Sequence, residues 1–74
     1  MITSEIDEMR FREEFSEKLE AMMNSKGLNQ SELADFSGVS TSSISAYMLC
    51  KRTPSFYNVY RIAKILRCPI DYFL

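Results

Sequence analysis

Histidine and tryptophan are absent from this 74-residue chain, and glycine, proline and cysteine occur only twice each. Without histidine the commonest general base is missing, and there is no imidazole to join Cys50 and Cys68 at zinc. The two cysteines do not form a Cys-x-x-Cys pair, so they are read as buried or idle thiols rather than as a disulfide or a metal site. No glycine-rich loop is present to cradle phosphate, and no carboxylate pair falls in an evident pocket. An enzyme is therefore not expected, and neither is a cofactor. Two glycines and two prolines leave little room for long loops. No window approaches the ~18 apolar residues of a membrane span, and the acidic N-terminus lacks the basic and apolar regions of a signal peptide, so a cytoplasmic protein is expected. No internal repeat or low-complexity segment is found.

What is present fits one small all-α domain. A chain of this length makes a single core burying about 60% of the unfolded surface, which implies modest stability. Helical spacing divides it into five helices. Phe11, Phe15, Leu19, Met22 and Met23 form a stripe from Phe11 to about Ser25, which Lys26 and Gly27 end. A second helix runs from Gln30 to Phe36 and a third from Thr41 to Leu49. Pro54 and Ser55 offer a stop and a cap, and Phe56, Val59, Ile62, Ala63 and Leu66 mark the buried face of a fourth helix. Arg67 and Cys68 close it, and Pro69 opens a last turn or helix ending at Leu74.

The stretch Gln30 to Tyr47 carries the most information. Leu33 and Ala34 take the inner face of one helix, and Ala34 is small enough for the next helix to approach. Gly38 follows four residues later, where the chain must leave the helix and positive φ costs glycine little. Val39 plugs the turn, Ser40 caps the next helix, and Ile44 and Tyr47 give that helix its buried stripe. Its other positions, Thr41, Ser42, Ser43, Ser45 and Ala46, are small and mostly polar, a face suited to lie close to a DNA groove.

These residues, with KGLNQ before and KRTPS after them, resemble the phage repressor and Cro-type (XRE) helix-turn-helix family over roughly Phe11 to Leu74. The resemblance implies a five-helix lambda-repressor-like DNA-binding domain. It maps phosphate contacts to Gln30, Ser43, Lys51 and Arg52, and base-edge contacts in the major groove to Ser40, Thr41, Ser42 and Ala46. It also implies a homodimer paired through the C-terminal segment, where Ile70, Tyr72, Phe73 and Leu74 concentrate apolar surface. Two recognition helices would then stand about 34 Å apart on a near-palindromic operator.

The chain departs from the family pattern at several positions. Relatives usually carry an Arg late in helix one and a Glu late in helix three as a buried ion pair; here the matching residues are Met23 and Met48. Replacing both partners by apolar groups keeps the core logic, and Met fills irregular space. Cys50 and Arg67 stand where the family favours helix-ending glycines, at about 1 kcal/mol each if φ stays positive. Ser37 occupies a position usually small or apolar, where its hydroxyl can bond back to the helix backbone. The recognition helix also lacks the Gln, Asn, Arg or Lys that read purines bidentately, so specificity per base is expected to be low.

The formal net charge of −1 is unusual for a DNA-binding domain, but it is unevenly spread. Residues 1–20 hold seven acids against three bases, while residues 21–74 hold six bases against three acids. The part from residue 21 onward is thus mildly basic, and the chain is read as an acidic N-terminal extension, residues 1–10, followed by the helix-turn-helix domain, residues 11–74. Ile2, Ile6 and Met9 fall on the side opposite the Phe11 stripe, and one helix cannot bury both in one core. Either the chain breaks near Arg10 and folds back, or a long straight helix or arm presents Ile2, Ile6 and Met9 to a partner, or the terminus is simply frayed. The expected function is a Cro-like transcriptional regulator of phage or mobile-element type that binds double-stranded DNA as a dimer. The alternative is a protein-interaction module on the same fold, an antirepressor or modulator of another regulator.

Overall fold

The structure is a computed structural model that describes the backbone from Thr3 to Leu74 and the side chains from Asp7 onward. Four α-helices follow one another, α1 (Thr3–Lys26), α2 (Gln30–Ser37), α3 (Thr41–Met48) and α4 (Phe56–Leu66), and a 3₁₀ turn at Ile70–Tyr72 ends the chain. The predicted fifth helix is thus a single 3₁₀ turn. No strand is found among the described residues, and none of their helices is long and apolar enough to cross a membrane.

Helix α1 does not break near Arg10. From Thr3 to Lys26 it contains neither glycine nor proline and is rich in Glu and Met, which favour the helix. Glu8 and Arg12 form an i,i+4 ion pair at 3.2 Å across the point where a break was conceivable. At 1.5 Å per residue its 24 residues span about 36 Å, close to the molecule's 38 Å long dimension. Met9 is exposed on this helix, while Ile2 and the side chain of Ile6 lie outside the described residues.

Three helix ends share one device. Gly27, Cys50 and Arg67 all take left-handed φ, and the next residue's N–H reaches back to a carbonyl of the last turn: Leu28 to Met23 at 2.9 Å, Lys51 to Ala46 at 2.9 Å, Cys68 to Ala63 at 3.1 Å. The non-glycine residues Cys50 (φ 59°) and Arg67 (φ 56°) therefore keep the family's backbone and hold its strain. Burial pushes the Cys68 thiol up, opposed by Lys26, so it stays protonated at neutral pH.

Phe15, Leu19 and Met23 of α1 meet Leu33 and Ala34 of α2, Ile44 and Tyr47 of α3, and Val59, Ile62, Ala63 and Leu66 of α4. Phe73 completes this core. Phe56, expected on the buried face of α4, is instead 67% exposed. It is the first residue of α4, one turn ahead of the core stripe, and the buried residue at that end is Pro54. Ser37 is buried, and its hydroxyl accepts the Val39 N–H at 3.2 Å, so it bonds forward into the turn rather than back into the helix.

Met23 is buried and Met48 half-buried, and both line a surface groove of about 310 Å³ together with Leu28, Gln30 and Glu20. Met48→Glu alone would set an unpaired carboxylate in this groove beside Glu20. Because the site is half open, the expected cost is about 2 kcal/mol, below that of a fully buried unpaired charge. Adding Met23→Arg should recover at least half of it in urea denaturation midpoints; additive losses would show that the two sites do not interact.

Candidate nucleic-acid interface

Helix α2 opens with a reciprocal cap. The Asn29 side chain accepts the Glu32 N–H at 2.8 Å, and the Glu32 carboxylate accepts the Asn29 N–H at 3.0 Å. Gln30, the first residue of α2, needs no role in that cap and stands exposed at the helix N-terminus. Gly38 ends α2 at φ 77°, its N–H reaching Ala34 at 2.9 Å. Over it lies Arg61 of α4, whose Nε donates to the Ser37 carbonyl at 3.0 Å and whose guanidinium sits 5.1 Å from the Tyr57 ring centroid. Arg61 thus ties the end of α2, at the turn into α3, to α4, a role that no local pattern around residue 61 announces.

Helix α3 buries Ile44 and Tyr47, and the Tyr47 hydroxyl accepts from the Asn58 amide at 2.8 Å. The turn at Gly38 and this buried stripe leave Ser40, Thr41 and Ser42 exposed at the start of the helix, with Ser43 and Ala46 half-exposed beside them. The hydroxyls are already engaged with one another. Ser40 Oγ accepts the Ser43 N–H at 3.1 Å and lies 2.9 Å from Ser43 Oγ and 3.3 Å from Ser42 Oγ. Ser40 therefore serves the helix cap, whereas Thr41 makes no side-chain hydrogen bond among the described residues. At the far end of α3 the Ser16 hydroxyl donates to the Met48 carbonyl at 2.9 Å and ties the helix to α1.

The loop after α3 brings the bases to this surface. Lys51 and Arg52 are exposed, and Arg52 Nη1 donates to Ser43 Oγ at 3.3 Å, so a cation joins the hydroxyl cluster at the positive end of the α3 dipole. Next to them Thr53 is held from α1. Arg12 Nε donates to its hydroxyl at 2.7 Å, and that hydroxyl donates to Glu8 at 2.6 Å. The Thr53 hydroxyl first, then the Arg12 guanidinium, hold the Glu8 carboxyl below the usual carboxylate range.

The C-terminal residues divide between core and surface. Phe73 is 1% exposed with its ring 5.2 Å from that of Phe15, Ile70 and Tyr72 are half-buried, and Leu74 is exposed. Lys18 lies 6.0 Å from the Tyr72 ring centroid. Ile70 shares an open apolar hollow with Tyr60, Ala63, Lys64 and Cys68, and Tyr60 stacks on Tyr57 at 6.5 Å.

Among solved structures, that of the restriction-modification controller protein C.AhdI from Aeromonas hydrophila is similar, with 26% identity, a TM-score of 0.78, and coverage of 82% of this chain and 92% of that one. No curated protein matches the chain. The helix-turn-helix family model matches residues 19–73, beginning within α1 and ending at Phe73, and so takes in α2, the Gly38 turn and α3 whole. The chain belongs to the phage repressor and Cro-type helix-turn-helix family, a family of DNA-binding transcriptional regulators.

Proposed function

We propose that this regulator binds a near-palindromic operator as a homodimer, each α3 lying in a major groove. The observation that carries the reading is the surface of α3 opposite Ile44 and Tyr47, small and free of bulky side chains from Thr41 to Ala46, with Arg52 drawn onto its first turn. Gln30, Ser43, Lys51 and Arg52 hold phosphates, while Thr41, Ser42 and Ala46 face bases. Ser40 reaches a base only by sharing the oxygen that caps α3. Pairing runs through Ile70, Tyr72 and Leu74 and the adjoining Tyr60, with Phe73 acting from within each subunit. The likeness to a restriction-modification controller protein supports a role in controlling transcription.

The two groups of residues should fail differently when changed. Lys51→Ala and Arg52→Ala weaken binding to every duplex and lower the salt slope by about 0.9 each, one phosphate apiece. Thr41→Ala and Ser42→Ala instead narrow the gap between operator and random DNA by about 1 kcal/mol, since single hydroxyls replace bidentate contacts. Salt titrations with duplexes drawn from the DNA flanking the gene check both outcomes. Failure of the intact protein to bind any duplex at ~50 mM salt would sink the reading and favour a protein partner.

A further inference from the structure

The loop between α3 and α4 is fastened at its two ends. At its start the N–H groups of Cys50 and Lys51 bond Tyr47 at 3.1 Å and Ala46 at 2.9 Å; at its finish Pro54 is buried and Ser55 caps α4 through the Asn58 N–H at 3.1 Å. Between them, no backbone hydrogen bond among the described residues holds Arg52 or Thr53. The middle of the loop is held by side chains. Glu8, Arg12 and Thr53 close a ring in which Arg12 donates to Thr53, Thr53 donates to Glu8, and Arg12 and Glu8 pair at 3.2 Å. The single Thr53 hydroxyl is used both as donor and as acceptor.

We infer that this ring is a positioning clasp, by which the extended N-terminal part of α1 sets the loop that aims Lys51 and Arg52 at the DNA backbone. The inference rests on the phosphate role proposed for those two bases. Thr53 is well suited to transmit the hold. Its β-branched side chain is stiff at χ1, and the following Pro54 restricts its backbone to extended conformations, so fixing the hydroxyl fixes the direction in which the chain leaves Arg52. The clasp also solves an electrostatic difficulty. Glu8 lies within hydrogen-bond reach of a loop that approaches phosphates, and Arg12 neutralises it there. Both α1 residues precede Leu19, where the family match begins, so the α1 half of the clasp lies on a part of the chain that the family model does not describe, while Thr53 lies within it.

The test uses the intact protein and a fluorescent duplex carrying its operator, or a random duplex at ~50 mM salt. Thr53→Val removes the hydroxyl without changing charge or shape and should weaken binding about three- to ten-fold, while Thr53→Ser should restore it to within about two-fold. Thermal unfolding of both variants should stay close to that of the parent, since the ring is at the surface. The decisive comparison is made in a Lys51→Ala, Arg52→Ala background, where Thr53→Val should have no further effect because nothing remains to be aimed. An equal loss in that background would mean that Thr53 touches DNA or supports the fold by itself, and would overturn the clasp. Unchanged affinity of Thr53→Val in the parent would overturn it too. Absence of DNA binding by the parent protein is a different failure, that of the regulator reading, and takes the clasp with it.

Discussion

Phe73→Ala should destabilise the isolated subunit by about 3–5 kcal/mol, a large part of the total stability of so small a domain. The ring is 1% exposed and packs against Phe15 at 5.2 Å, at an angle between stacked and edge-on, and Phe15 in turn meets Tyr47 edge-on at 5.8 Å. Removing it opens a cavity between Phe15 of α1 and the 3₁₀ turn, and takes away the ring against which Phe15 is held. The penalty should be the same at every protein concentration, because the ring supports its own subunit. Leu74→Ser provides the contrast. That side chain is 61% exposed, so urea midpoints of the dilute subunit should hardly move, while sedimentation at tens of micromolar should shift toward monomer. A dimer that survives Leu74→Ser together with Tyr60→Ser would place pairing elsewhere, with Met9 the next surface to examine.

Gly38→Ala should cost about 2–4 kcal/mol, from two separable sources. A left-handed backbone at φ 77° is unfavourable for any residue with a Cβ, by about 1 kcal/mol or more. An added Cβ would also run into the Arg61 guanidinium, which must then shift and loosen its bond to the Ser37 carbonyl. A charged hydrogen bond of this kind is worth about 1.5–3 kcal/mol. In an Arg61→Ala background only the backbone strain should remain, and the double-mutant cycle read by urea denaturation isolates the second source. Equal costs in both backgrounds would mean that Arg61 moves aside freely.

The parts of the molecule that were legible from the sequence are those settled by neighbours in the chain. Ser40 and Ser55 cap because their oxygens reach an N–H three residues on, and Gly38 turns the chain because left-handed φ is a local property. The buried stripes of α3 and α4 follow from spacing alone, as does the polar face between Thr41 and Ala46. What was hidden depends on distant partners. Thr53 meets Glu8 across 45 positions and Arg12 across 41, and a lone threonine before a proline gives no sign of either. Arg61 read as one more base until the fold laid it over Gly38. Phe56 kept the right spacing for the core of α4, but spacing does not say where the core stops.

Cys50 and Arg67 bear on how this protein can change over generations. Both hold left-handed backbones that glycine would occupy with less strain, by about 1 kcal/mol each. Every cysteine codon and every arginine codon lies a single nucleotide from a glycine codon. The chain therefore keeps two one-step routes to greater stability at its helix ends, apart from the residues proposed to face bases. A lineage acquiring a bulkier base-reading side chain at Thr41 or Ser42, at some expense to folding, has a reserve within reach to offset it. New operator preferences are in that sense open to this scaffold by short mutational paths.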